Sequence, residues 1–211
     1  MFPPSYKDLN KVITEKYLNY NNGFYIEVGG ADGYTQSNTW HLEMYKQWSG
    51  ILIEPNPVAA EQCRDSRPNS SVFNYALVSN DFKGDTIKML YRTVYGGDPG
   101  LMTSTVDSPI RQNKEWIAPA TENDKTEEFE IQVATLTDIL ESQNVTDIDF
   151  FSLDVEGYEL EVLRGLDLKK FTPKVILVEW HLDFEEIKKV LDKTHVYAEQ
   201  LTRHDYVFLA R

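Results

Sequence analysis

The sequence predicts an α/β fold built on a mostly parallel sheet with helices on both faces. Three observations carry that prediction. Segments with strand periodicity alternate with helical ones along most of the chain. The apolar run Lys174–Val178 is continuous, as expected of a central parallel strand buried on both faces. Two closing strands, near Tyr197–Leu201 and Tyr206–Ala210, flank a turn that permits only antiparallel pairing. Five parallel strands and a reversed terminal hairpin together make a seven-stranded sheet.

The first strand reads Phe24–Val28 and stops at Gly29-Gly30-Ala31-Asp32-Gly33. A helix is expected from Ser37 to Gln47, with Trp40, Met44 and Trp48 forming a buried stripe at four-residue spacing. Gly50–Ile53 is the second strand. The prolines of Glu54-Pro55-Asn56-Pro57 end it and favour a helix start near Val58. That helix closes before Arg67-Pro68, and its Cys63 is expected to be half-buried. The third strand is Val72–Ala76. Thr86–Val94 then alternates as an extra strand, Tyr95–Lys125 reads as a loop, and Glu128–Val133 as the returning strand. A β/loop insertion at about 84–127 therefore interrupts one domain spanning 1–211, and long loops in compact domains are usually functional or disordered. A helix at Leu136–Gln143, a strand at Ile148–Leu153, and a helix at Tyr158–Arg164 capped by Gly165 follow. After the fifth strand, Phe184, Ile187 and Leu191 mark one face of the last helix.

Composition narrows the function. The chain has 211 residues, 41% of them hydrophobic, 26% charged, with a formal net charge of -13. That balance repels phosphate backbones, so nucleic acid is not an expected partner. No run reaches the roughly 20 apolar residues of a membrane helix, so no membrane association is expected. The start lacks the basic and apolar parts of a signal peptide, and a cytoplasmic location is expected. The single Cys63 rules out an internal disulfide. Two glycosylation sequons, at Asn69 and Asn144, matter only in a secretory compartment.

In an open α/β sheet, ligands bind beyond the carboxyl ends of the strands. Four such ends are polar: Glu27–Gly33, Glu54–Asn56, Asp154–Gly157 and Glu179–Asp183. Glycines let backbone approach a ligand. A carboxylate at Glu27 suits an amino group, and Glu54 suits two ribose hydroxyls. A dinucleotide fingerprint would need glycines at 29, 31 and 34, but Ala31 and Tyr34 occupy two of those places, and acids at Glu27 and Asp32 would repel a pyrophosphate.

The pattern resembles E-x-G-x-A-x-G, a variant of the methyltransferase motif for S-adenosylmethionine. Glu27–Gly33, Ser37-Asn-Thr39 and Leu42-Glu43 are similar to the opening of FkbM-type methyltransferases. So are Trp48–Asn56, Val133–Leu140, Leu153–Glu159 and Val162–Gly165. Glu27, Gly30 and Ala31 stand where many members have Asp, Ala and Asn. The resemblance implies a class I methyltransferase (Rossmann-like) fold, S-adenosyl-L-methionine as cofactor, and O-methylation of a small polar acceptor such as a sugar or glycan. A non-catalytic binding or trafficking module is the other reading.

The expected cofactor residues are Glu27, Gly29, Gly30, Ala31, Asp32, Gly33, Glu54, Pro55, Asn56, Ala76, Leu77 and Asp154, with Ser79 as another candidate adenine neighbour. Asp154 and His181 are the candidate catalytic groups, Asp154 to position or deprotonate the acceptor and His181 as a base active near neutrality. A divalent metal held by Asp154, Glu179 and Asp183 is not favoured, and no metal ligand is assigned. Tyr95, Trp116, Glu156 and Trp180 are expected at the acceptor, with Gly96–Gly100 closing over it. Tyr91 lies in the same insertion. His41, His195 and His204 read as structural or exposed.

Overall fold

The structure is a computed structural model that describes residues 8–93, 103–106 and 125–211. A helix α1 (Leu9–Tyr17) precedes the first strand and was not legible in the sequence. Its Leu9 and Ile13, four residues apart, bury one stripe against the sheet. Lys16 and Tyr17 both bond the Glu199 carboxylate at 2.6 Å and tie the helix to the far end of the chain.

The main sheet then builds in order. β1 (Phe24–Val28), α2 (Trp40–Lys46), β2 (Ser49–Ile53), α3 (Pro57–Ser66) and β3 (Ser70–Phe73) form the first half. After the insertion come α4 (Leu136–Ser142), β8 (Phe150–Leu153), α5 (Glu159–Arg164), β9 (Val175–Glu179), α6 (Phe184–Leu191), β10 (His195–Gln200) and β11 (Asp205–Ala210). The strand order is β10-β11-β9-β8-β1-β2-β3. β3, β2, β1, β8 and β9 run parallel, while β11 is antiparallel to both β9 and β10. The seven-stranded sheet with a reversed terminal hairpin is as expected.

The chain winds from β1 outward to β3, then returns to lay β8 against the opposite edge of β1. The connections leaving β1 and β8 diverge there, which opens a crevice at their carboxyl ends. Alternate residues of each strand face opposite layers. Ile26, Phe151, Ile176 and Val178 pack with Leu140, Leu163 and Ile187 on one side. Tyr25, Leu52, Phe150 and Leu177 pack with Leu9, Leu42 and Cys63 on the other. Fully burying each such side chain contributes on the order of 1.5–3 kcal/mol.

The insertion forms a second sheet. Its strands are β4 (Ala76–Leu77), β5 (Thr86–Thr93), β6 (Thr103–Val106) and β7 (Lys125–Ala134), in the order β4-β7-β5-β6. β5 and β7 pair antiparallel over their whole facing length. β6 falls inside the segment read as loop, because a four-residue strand has too few residues to show its period.

Three local expectations are corrected. The third strand ends at Phe73, and Ala76 pairs instead with Val133 in the second sheet. Asn74 marks the departure, its amide donating to the carbonyls of Glu54 and Pro55. Trp40 and Met44 are only half-buried; the buried residues of α2 are Leu42 and Glu43. Glu43 faces inward because a buried arginine, Arg67, receives it. Cys63 is wholly buried rather than half-buried.

Candidate functional site

A hollow of about 250 Å³ lies at the carboxyl ends of β1, β2 and β8. The loop after β1 forms its floor. Gly29 has φ +87°, and a Cβ there would stand 1.8 Å from the Asp154 carbonyl oxygen. Only glycine lets the two loops close to this distance. Asp32 does not point a free charge at the hollow. Its carboxylate accepts from the Tyr34 and Thr35 amides and from the Thr35 hydroxyl, which folds the turn.

Glu54 ends β2 and is buried. Its two oxygens accept from the amides of Ala31 at 3.0 Å and Asn56 at 2.8 Å, which joins the first loop to the second. Burial pushes this carboxyl up to about 7, against the pull of those two amides. Each oxygen retains a lone pair, so two hydroxyl donors would complete the group. Asn56 instead caps α3 through the amides of Val58 and Ala59. Ala76, Leu77 and Met89 line the hollow with apolar surface. Met89 comes from β5, so the second sheet supplies part of the wall.

Glu27 lines the same hollow, but its carboxylate is already spoken for. It accepts from the Ser37 and Thr39 hydroxyls, the Asn38 amide at 2.8 Å, and Arg67 at 3.3 Å. Arg67 is buried and also bonds Glu43 at 2.8 Å, the Gly33 carbonyl at 2.9 Å and the Tyr25 hydroxyl at 2.7 Å. Buried charges persist when paired and fully hydrogen-bonded. This network holds the β1–α2 loop from behind. It assigns Glu27 to building the loop and leaves no free side-chain capacity for an amino group. Gly33 belongs to the same packing: its φ is +80°, and a Cβ would meet Arg67 Cγ at 2.9 Å and Cys63 Sγ at 3.0 Å. It does not line the hollow.

The third corner is acidic. Asp154 follows β8 and is exposed where it lines the hollow. Partial withdrawal from water inside the hollow, then the neighbouring Glu179 carboxylate, push its acid above the ordinary range. Glu179 ends β9 and is pushed up to about 7 by burial, while the hydrogen bond from Asp154 holds it down. His181 Nε2 lies 3.1 Å from Glu179 Oε1, and its ring is 4.0 Å from that of His204. A second hollow of about 220 Å³ lies beside this pair, lined by Asp154, Glu179, Thr202, His204 and Asp205.

The remaining predicted residues separate clearly. Gly30, Ala31, Pro55, Asn56 and Glu156 line the first hollow. Ser79 is buried but does not. Trp180 is buried, its indole N–H donating to the Asp183 carbonyl at 2.8 Å, and lines neither hollow. His181 lines neither and reaches the site through Glu179. Asp183 caps α6 through the Glu185 amide, which turns it to helix duty. The acid that organises the β8–α5 turn is Glu159, accepting from Val155 and Gly157. Among the described residues no group of three His, Cys, Asp or Glu is placed to hold a metal ion. Tyr95, Trp116 and Gly96–Gly100 lie outside the described residues, as does the side chain of Tyr91. Sequence reasoning missed Arg67, Met89 and His204. The buried acids Glu27 and Glu43 were the only hint that a cation must enter the core.

A parallel sheet with its switch point at β1 and β8, a glycine turn there, and an acid closing β2 define a class I methyltransferase fold. The chain belongs to the FkbM methyltransferase domain family, which it matches over residues 27–208. It is a methyltransferase, and S-adenosylmethionine is its methyl donor. Among solved structures it is similar to a mutant form of MtNAS, at 10% identity and a TM-score of 0.50, covering 98% of this chain and 60% of that one. It is similar too to the human methyltransferase 10 domain containing protein, at 11% identity and a TM-score of 0.48, covering 97% and 93%. A precorrin-6y C5,15-methyltransferase from Geobacter metallireducens gives 12% identity and a TM-score of 0.44, covering 98% and 93%. Likeness at these identities concerns the fold. Curated proteins give no sequence match to the chain.

The residues present fit the donor. Glu54 has acceptor capacity for the ribose hydroxyls, Gly29 permits close approach of backbone, and Ala76, Leu77 and Met89 offer an apolar face for adenine. Among the described residues no helix is long and apolar enough to cross a membrane.

Proposed function

We propose that the chain moves the methyl group of S-adenosylmethionine to a hydroxyl oxygen of a small polar acceptor, a sugar or glycan in the best-matched case. The observation that carries this reading is the Asp154–Glu179 pair, which forms part of the wall of both hollows. The first hollow takes the donor, and the second takes the acceptor. A sugar hydroxyl is a poor nucleophile and needs its proton received as it attacks. The carboxyl groups of Asp154, Glu179 and Asp205 also suit hydroxyl donors, which sugars carry on every side.

The bound donor supplies an electrophilic methyl carbon on a positively charged sulfur. The protein does the rest. Glu54 fixes the ribose, the Gly29–Ala31 backbone holds the amino-acid end, and Met89 with Leu77 confines the base. Alignment of oxygen, methyl and sulfur accounts for much of the acceleration. The two sheets serve this site as a single domain. We infer a cytoplasmic location, where a lone buried Cys63 would stay a thiol.

Calorimetric titration with S-adenosylhomocysteine, then a screen of free sugars and glycosides for uptake of labelled methyl, tests the reading. Micromolar binding followed by label on a hydroxyl supports it. Failure to bind, or label appearing on nitrogen acceptors alone, overturns it.

A further inference from the structure

This inference rests on the methyl-transfer reading and concerns how its base is kept ready. In-line displacement requires the reactive end of the donor to lie where the two hollows meet. Five residues line both hollows: Gln36, Asn38, Ser152, Asp154 and Glu179. Asp154 and Glu179 are the only carboxyl groups among them. Glu27 and Glu54 line the first hollow alone.

We propose that Asp154 and Glu179 form one proton-sharing pair that releases its proton when the donor's sulfonium arrives, and takes the next proton from the acceptor hydroxyl.

The surroundings set the resting state. Asp205 on β11, with Glu156 and Glu159 after β8, are acids that act on the pair. They favour keeping the shared proton. His181 Nε2 lies 3.1 Å from Glu179 Oε1, and its ring is backed by that of His204. It can hold the charge on Glu179 once Asp154 is ionised. A positive sulfur at the junction reverses the balance, because an adjacent opposite charge favours the ionised form.

The charges then close around the cycle. At rest the pair carries one negative charge. With donor bound it carries two, offset by the sulfonium. During transfer the acceptor oxygen forms its bond to methyl carbon as the carbon–sulfur bond breaks. That electron pair stays on sulfur, which becomes a neutral thioether. The hydroxyl proton passes to the pair, which regains its single negative charge. The local charge is thus the same before and after the chemical step, and the base is armed only when a methyl group is present to transfer.

S-adenosylhomocysteine is the control, since it displaces the same water and brings the same amino, carboxylate and ribose groups without the sulfonium charge. Protons released on binding each compound are measured at pH 7 by calorimetry in two buffers of different ionisation enthalpy. S-adenosylmethionine is expected to release more than S-adenosylhomocysteine, by up to about one proton per site. The difference should vanish in the double variant Asp154→Asn, Glu179→Gln, whose binding of S-adenosylhomocysteine reports that it is folded. Equal release by the two compounds in the native protein overturns the proposal, as does a difference that survives in the double variant. If neither compound binds, the methyl-transfer reading itself fails and this inference falls with it. Binding of both without the difference leaves that reading standing and removes the inference alone.

Discussion

Replacing Arg67 with methionine should cost this protein a large share of its stability. The side chain is 1% exposed and donates to Glu27, Glu43, the Gly33 carbonyl, the Tyr25 hydroxyl and the hydroxyls of Ser37 and Thr39. Methionine fills similar space but removes every donor. Two carboxylates, each under 5% exposed, would remain in the core without a cation. Removing one partner of a buried ion pair costs about 3–5 kcal/mol. Two stranded acids place the loss toward the upper end, and a domain's whole stability is only about 5–15 kcal/mol. At about 2–4 °C per kcal/mol for a chain of this size, Tm should fall by roughly 10–15 °C. Burial alone would raise the Glu43 carboxyl, but the Tyr25 hydroxyl and Arg67 hold it below its ordinary 4.5. A carboxyl whose pKa is lower in the folded state contributes stability above its unfolded pKa and loses it as pH falls through the folded one. The gap between native and variant should therefore narrow below about pH 4.5. Urea unfolding across pH reads both effects. A loss under about 1 kcal/mol, the scale of an exposed pair, would refute the reasoning.

Gly29→Ala forces a Cβ to within 1.8 Å of the Asp154 carbonyl, and affinity for S-adenosylhomocysteine should drop at least about tenfold by calorimetry. Glu54→Gln should weaken the same binding by about 10- to 100-fold, the scale of hydrogen bonds to a charged group. Burial puts the folded Glu54 acid at about 7, above its ordinary 4.5. The folded state then binds more protons than the unfolded one between those values, so stability falls as pH rises through that window. Urea unfolding of Glu54→Gln should show a shallower decline, by up to about 1.4 kcal/mol per pH unit. His181→Asn should leave S-adenosylhomocysteine affinity within about twofold, since the ring lines neither hollow, yet shift the pH profile of methyl transfer. An unchanged profile would remove His181 from its positioning role.

Much of the main sheet was legible because its strands carry strong periodic or continuous apolar patterns, and Gly29–Gly33 and Glu54 announce the switch point by residue type. What the sequence hid was long-range. Glu27 and Glu54 look alike as acids ending neighbouring strands, but only the folded chain shows that Arg67, forty residues from Glu27, consumes the first and leaves the second open. Trp40 and Met44 have helical spacing, yet Glu43 wins the inward face because its buried partner outweighs the apolar stripe. His204 reads as structural or exposed, and Met89 as one apolar position in an extra strand; their places at the two hollows depend on how the hairpin and the second sheet fold back. Asp154 was found from its position at a strand end. Its meeting with Glu179, at the end of the neighbouring strand, leaves no spacing signature.

Hydrogen exchange with and without S-adenosylhomocysteine tests the central claim most directly. Residues 29–32, 54–56, 76–77 and 154–156 are distant in sequence and converge on one hollow. They should gain protection together on binding, while the buried strand interiors and α6 stay unchanged. Protection confined to one of these segments, or appearing only elsewhere, would contradict a donor site at the β1–β8 crevice.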